Sequence, residues 1–295
     1  MIWHGVFPAI TTPFDEALNV DHAFLAKHAR WQLDAGCKGL VALGSLGEGA
    51  TLSHEEKLEV LKTCIDVTDR PVIAGISALS TDEAVTLAKE AEKAGCQGLM
   101  VLPQYVYKGD WRENKAHVAS VIRATSLPCM LYNNPVAYGI DFLPEQIAEL
   151  ATEHPNLEAV KESSTDVRRV TAIRALLGNR LALFVGVDDA IVEGIAAGAV
   201  GWVAGLVNAF PAESVKLFDL AVAGEDQAAF ELYRWFLPLL RLDTLPKFVQ
   251  YIKLTQQVVG MGHERTRPPR LTIAGDERKH VMAVIERAVG TRKKL

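Results

Sequence analysis

Short apolar runs alternate along the chain with longer stretches in which apolar residues recur every three to four positions. The short runs fall at residues 5–10, 39–43, 71–74, 98–102, 129–132, 157–161, 183–185 and 201–204. They are continuously apolar rather than alternating, the pattern of parallel strands covered on both faces. The longer stretches, at 21–35, 54–67, 81–94, 111–125, 144–153, 167–177 and 189–197, carry the helical period. Ser53 with Glu56 three residues on, and Thr81 followed by Glu83, supply helix-start signals.

A recurring junction ties these units together. Ala35-Gly36-Cys37-Lys38-Gly39, Ala94-Gly95-Cys96-Gln97-Gly98 and Ala197-Gly198-Ala199-Val200-Gly201 share the form Ala-Gly-x-x-Gly, each followed by an apolar run. The first glycine suits a left-handed helix cap, and the second opens the next strand. The separations of 59 and 103 residues match about two and four strand–helix units. The expected fold is α/β, a (β/α)8 TIM barrel with a C-terminal helical extension. An open doubly wound sheet is the rival, but no Gly-x-Gly-x-x-Gly follows the first strand. The expected division is a catalytic barrel over 1–210, then the last barrel helix and the extension over 211–295. Helices are expected there at 211–223, 227–240, 246–259 and 276–288, with a linker-like break at 261–272.

Composition narrows the function classes. The 295 residues are 49% hydrophobic and 23% charged, a balance that supports a large core. The net charge is −5, and the one basic cluster, residues 291–295, reads as a frayed end, so no nucleic-acid partner is expected. No apolar run reaches the roughly 18 residues of a membrane span, and no signal peptide opens the chain, so a cytoplasmic protein without membrane partners is expected. Cys37, Cys64, Cys96 and Cys129 form no CxxC pair and read as buried reduced thiols. The eight histidines are scattered without ligand spacing, so no metal site is expected.

In such barrels the chemistry lies at the carboxyl ends of the strands. Lys161 ends the sixth run. A buried ammonium is costly to desolvate, and the neutral amine is the nucleophile that imine formation requires. The same position also suits a lysine paired with Glu162 or reaching the rim. Tyr132-Asn133-Asn134-Pro135 follows the fifth run, where a phenol can relay protons or simply pack. Gly44-Ser45-Leu46-Gly47-Glu48 follows the second run, where backbone amides can meet a carboxylate or merely form a tight turn. A lysine, a tyrosine and a Gly-Ser loop on one rim make a constellation for Schiff-base chemistry.

With Gly44–Glu48, Tyr132–Pro135, Lys161-Glu162-Ser163-Ser164 and Gly186-Val187-Asp188-Asp189 in this order, the chain resembles the dihydrodipicolinate synthase / N-acetylneuraminate lyase family of class I aldolase-type enzymes. The similarity runs from Gly5 to about Asn208. It implies that Lys161 is the nucleophile and needs no cofactor beyond its own covalent imine. It implies that Tyr132 shuttles protons and that Ser45 joins it in a hydroxyl relay. A relay tyrosine donated across a subunit interface matches Tyr105, with Tyr107 as the fallback. The resemblance further implies that Ser45, Leu46 and Gly47 hold the carboxylate, that Gly186, Asp188 and Val203 line the pocket, and that the protein is a homotetramer, a dimer of dimers.

Departures from the family pattern shape the expected substrate. A dihydrodipicolinate synthase carries an arginine just after Tyr-Asn-x-Pro to hold its second substrate's carboxylate; here that position is Ala137. Losing charge-assisted hydrogen bonds of about 1.5–3 kcal/mol each removes that specificity. Leu46 stands where the synthase has a second relay threonine, and Gly205 where a hydroxyl residue would meet a polyol tail. Asp189 suits either a substrate contact or a helix start. These features imply a dehydratase or deaminase of a small 2-oxo acid or cyclic imino acid. The examples are a 1-pyrroline-4-hydroxy-2-carboxylate deaminase and a 2-oxo-3-deoxy sugar acid dehydratase. The alternatives are a pyruvate-dependent aldolase, acting on 2-oxo-3-deoxy sugar acids or 4-hydroxy-2-oxoglutarate, and a non-catalytic 2-oxo-acid sensor.

Overall fold

The computed structural model describes residues 3–292. Its strands are β1 (Gly5–Pro8), β2 (Leu40–Ala42), β3 (Val72–Ile76), β4 (Gly98–Val101), β5 (Cys129–Asn133), β6 (Leu157–Glu162), β7 (Ala182–Val185) and β8 (Gly201–Ala204). All neighbours pair in parallel, in the order β1-β8-β7-β6-β5-β4-β3-β2. The Ile10 amide donates to the Val41 carbonyl at 2.9 Å, and Ala9 bridges Val41, so the first and second strands meet and the cylinder closes. The fold is a (β/α)8 TIM barrel with further C-terminal helices.

The helices are α1 (His22–Asp34), α2 (His54–Ile65), α3 (Thr81–Ala94), α4 (Trp111–Arg123), α5 (Pro135–Tyr138), α6 (Pro144–Glu153), α7 (Arg168–Leu177), α8 (Ile191–Ala196), α9 (Pro211–Ala223), α10 (Asp226–Leu240), α11 (Phe248–Val258) and α12 (Gly275–Gly290). The Ser53–Glu56 capping box forms as its spacing predicts. At α3 the cap is one residue earlier than expected: Ser80, not Thr81, accepts from the Glu83 amide. The repeated junction behaves as its composition requires, with Gly36, Gly95 and Gly198 all at φ between 101° and 109°, where an L side chain is strained. The expected helix at 189–197 instead starts with a 3-10 turn, Asp188–Ala190, and the one at 246–259 is preceded by another, Arg241–Thr244. The short α5 was not anticipated. Asn134 caps it by accepting from the Ala137 amide at 3.0 Å, and Pro135 sits at its first turn.

Two apolar layers result. One lies between strands and helices. The other fills the barrel with inward-facing residues such as Phe7, Val41, Ile73, Met100, Met130, Ala159, Phe184 and Val203. Val249 and Ile252 of α11 join this inner layer, so the C-terminal extension folds back over the barrel. All four cysteines are free and buried, and burial pushes their thiols up to about 12. The chain end is less frayed than expected. Arg292 pairs with Glu213 and lies over the Phe210 ring, while residues 293–295 lie outside the described region. No described helix is long and apolar enough to cross a membrane.

Candidate active site

Side chains alternate along a strand, so in β6 the residues Ala159 and Lys161 point to one face and Val160 and Glu162 to the other. This separates Lys161 from Glu162. The Glu162 carboxylate accepts instead from Asn133 Nδ2 at 3.0 Å and the Ser164 amide at 2.6 Å, so the alternative reading of Lys161 as a partner of Glu162 does not hold. Burial raises the Glu162 carboxyl above its ordinary value. Lys161 is 6% exposed and pairs in register with Tyr132 of β5. Its Nζ stands 4.2 Å from the centre of the Tyr132 ring, within cation–π range. The Tyr132 hydroxyl accepts from Asn134 Nδ2 at 3.0 Å.

Tyr138, at the end of α5, completes this wall. Its hydroxyl bonds to Ser45 Oγ. Its ring lies 5.8 Å from Tyr132, edge to face, and 5.5 Å from Tyr105. The Tyr105 hydroxyl is within hydrogen-bonding reach of Tyr138 and Ser77. Burial raises the Tyr138 phenol well above 10, and the neighbouring phenols add to this; burial also raises Tyr105. Tyr105, Tyr138 and Ser45 therefore stand together at the mouth, with the Tyr138 hydroxyl bonded to Ser45. Tyr105 lies beside Tyr138 of its own chain, their ring centres 5.5 Å apart. Tyr107, the fallback, is exposed and donates to Glu113 at 3.0 Å, away from the pocket. Tyr138 was not among the expected site residues. The signal was present: a tyrosine three residues after a helix-starting proline returns to the rim.

The loop after β2 is held from below. Glu48 and Gly49 donate their amides to the Ser45 and Gly44 carbonyls, while Thr12 Oγ1 donates to the Gly47 carbonyl at 2.6 Å. The Leu46 and Gly47 amides stand outside that pairing, and Leu46 packs into the inner layer. Glu48, fully buried at φ 54°, pairs with Lys253 Nζ at 2.5 Å and accepts from the Arg267 amide at 3.0 Å. Burial lowers Lys253 to about 8 despite that carboxylate.

The opposite wall comes from β7 and β8. A methyl group added at Gly186 would overlap Ser163 Oγ and lie 2.7 Å from the Lys161 side chain, so a glycine there is what lets the lysine stand upright. Ser163 Oγ is buried without a hydrogen-bond partner among the described residues. Val203 is buried on the inner face of β8. Asp188, expected to contact substrate, has its oxygens engaged otherwise. They accept from Trp202 Nε1 at 3.0 Å, the Gly205 amide at 3.0 and 3.1 Å, and the Leu206 amide at 2.7 Å. It clamps the β7 turn to the β8 turn, and burial lifts it to about 6 against the pull of those donors. Asp189 faces Arg241 at 3.6 Å. Among the described residues no group of His, Cys, Asp or Glu side chains is arranged to hold a metal.

The arrangement offers a buried amine, phenols beside it and an amide loop at the same end of the barrel, the parts that carbonyl capture and proton transfer require. The family model described as the dihydrodipicolinate synthetase family matches residues 3–288. The chain belongs to the dihydrodipicolinate synthetase family. It is 32% identical over 286 residues to a 4-hydroxy-tetrahydrodipicolinate synthase of Mesorhizobium japonicum, spanning 96% of this chain and 98% of that one. It is 34% identical over 273 residues to the synthase of Rhizobium meliloti, spanning 92% and 93%. Among solved structures it is similar to the chloride-inhibited dihydrodipicolinate synthase of Acinetobacter baumannii complexed with pyruvate, with TM-score 0.90 and 29% identity over 98% of this chain and 99% of that one. Members of the dihydrodipicolinate synthetase family are lyases of the class I, lysine Schiff-base type, and this chain is accordingly a lyase of that class.

Proposed function

We propose that this protein eliminates water, or water and then ammonia, from a short 2-oxo acid bearing a hydroxyl on C4, or from its cyclic imine. A 2-oxo-3-deoxy sugar acid dehydratase and a 1-pyrroline-4-hydroxy-2-carboxylate deaminase are the two forms of this reading. The observation that carries it is the α5 corner. Ala137 faces solvent where a synthase holds a carboxylate with arginine, and Tyr138 fills the adjacent wall with a phenol bonded to Ser45. Ala137 itself offers no cation to a second carboxylate, and the ammonium at this corner, that of Lys108, lies beside Gly139 at the end of α5.

In this reading Lys161 adds to C2 and expels water, or the ring nitrogen of a cyclic substrate, to give the imine. Leu46 and Gly47 amides with Ser45 hold the carboxylate. The Tyr132 hydroxyl, held by Asn134 and with the bonded pair Tyr138–Ser45 nearby, moves protons at the carbinolamine and at C3. Loss of the C3 proton gives an enamine, whose electrons form the C3–C4 double bond as the C4–O bond breaks. The imine itself is the electron sink, so no further cofactor enters. A homotetramer in the cytoplasm belongs to the same reading. The printed names of the relatives favour a second reading, a pyruvate-dependent aldolase or synthase.

One experiment separates them. The protein is supplied with hydroxypyrroline carboxylate, a 2-oxo-3-deoxy sugar acid, 4-hydroxy-2-oxoglutarate, and pyruvate plus aspartate semialdehyde, and products are followed by mass. Loss of water or ammonia is expected. Efficient condensation with the semialdehyde, or release of an aldehyde, overturns the elimination reading. Binding of pyruvate without turnover of any compound marks a sensor. Borohydride should trap one adduct in the native protein and none in Lys161→Ala; full trapping in that variant removes the proposed nucleophile.

A further inference from the structure

The C-terminal extension brings a carboxylate to the barrel mouth. Asp243 lies in the 3-10 turn Arg241–Thr244, which packs on the turn Asp188–Ala190 that follows β7. A methyl group added at Gly205 would overlap the Asp243 carboxylate and come within 3.0 Å of Ile252. The glycine at the end of β8 thus leaves the opening through which this side chain enters. Among the described residues Asp243 has no hydrogen bond or ion pair. The second unpaired group of this wall is Ser163 Oγ, 2% exposed and packed beside Lys161 at Gly186. Two polar side chains without partners, one at Gly186 and one at Gly205, are groups available to a ligand's own polar atoms.

We propose that Asp243 is a catalytic residue of the elimination, the acid that protonates the departing C4 hydroxyl. The inference rests on the elimination reading above and adds the group that receives the leaving oxygen. The step balances as follows. The enamine nitrogen restores the imine, the C2–C3 double bond shifts to C3–C4, and the C4–O bond breaks. The oxygen takes the Asp243 proton and leaves as water, and the Asp243 carboxylate recovers a proton from solvent. The two neighbouring carboxyls divide the roles. Asp188 accepts from one indole and two backbone amides, which favour its anion. Asp243 has no such donors and faces that anion, with burial and Asp188 both raising it and Lys161 opposing them. The other charges nearby are Asp189 and its partner Arg241. Of the two carboxyls, Asp243 is therefore the one whose surroundings favour the protonated form.

The test compares native protein, Asp243→Asn and Gly205→Ala by two readouts. Borohydride trapping of pyruvate reports folding and imine formation. Turnover of hydroxypyrroline carboxylate and of a 2-oxo-3-deoxy sugar acid, followed across pH, reports the elimination. Asp243→Asn should trap pyruvate within about twofold of native and lose about 100-fold or more in kcat, the range of a group that transfers a proton directly. Its rate profile should lose the fall at alkaline pH, which reports loss of the proton from Asp243. Gly205→Ala, which displaces the carboxylate while retaining it, should show the same split. Native-like elimination by Asp243→Asn overturns the assignment and leaves the elimination reading standing. Failure of Asp243→Asn to trap pyruvate assigns the residue to folding or imine formation and also overturns it. If the native protein eliminates from neither substrate, the reading itself falls, and the role of Asp243 with it.

Discussion

The two ends of the barrel treat polar groups in opposite ways. At the end where the strands begin, arginine and asparagine side chains are matched to backbone carbonyls, with His154 Nε2 a buried exception. Arg180 donates to the carbonyls of Leu157, Ala151, His154 and Pro155, Arg174 to those of Gly178, Leu181 and Gly198, and Asn156 to those of Ile122, Thr125 and Leu127. These side chains finish helix and strand ends that would otherwise expose carbonyls. At the end where the strands finish, Lys161 stands over a ring rather than a carboxylate, Ser163 has no partner, and Asp243 has no donor. Satisfied groups hold a shape; unsatisfied ones are available to a substrate. The contrast locates the chemistry without reference to any relative.

Three perturbations sharpen that contrast, from the strongest to the weakest. Lys253→Met leaves Glu48 buried beside Arg270 without its nearest cation and should cost about 3–5 kcal/mol, measured by urea unfolding. The same pair sets a pH dependence. Lys253 in the folded protein releases its proton near 8, while in the unfolded chain it holds it to about 10.5. Between those values the unfolded state binds more protons, so this lysine's contribution to stability improves as pH rises. Native protein should gain on Lys253→Met over that window; a flat difference contradicts the buried-ammonium picture. Next, Tyr138→Phe removes the hydroxyl that meets Ser45 and should lower kcat about tenfold, below the roughly 100-fold or greater loss for a direct proton donor. Steady-state rates decide this, and an unchanged kcat removes Tyr138 from the relay. Last, Arg180→Ala should cost about 1–2 kcal/mol, a melting shift of a few degrees, with kcat untouched. A fall in kcat there would mean the two ends are not independent.

Much of this was legible in the chain itself. The continuous apolar runs specify strands buried on both faces, and the Ala-Gly-x-x-Gly junctions specify where helices stop. The ends of these elements were less legible. Val72–Ile76 runs beyond the expected 71–74 because Gly75 interrupts the apolar run without interrupting the ladder. Lys161 and Tyr132 were legible because each ends a strand. Asp188 was found, but its role was not, since nothing local reveals that two amides and an indole from the next strand would occupy it. Asp243 was out of reach for the same reason. It belongs to a helical extension with no strand-end position of its own, and only the way α11 folds back brings it to Gly205. Short-range pattern predicts elements; a contact between residues 205 and 243 depends on how elements stack.

The Glu48–Lys253 pair has a consequence in time as well as in space. Its members are 205 residues apart, and the Arg267 amide that also supports Glu48 lies farther on still. Synthesis proceeds from the N-terminus, so Lys161 leaves the ribosome while both supports of the amide loop are still untranslated. A growing chain carries the reactive amine without the finished cradle beside it. The supports of the 44–48 loop are therefore complete only when the last fifth of the polypeptide has been made.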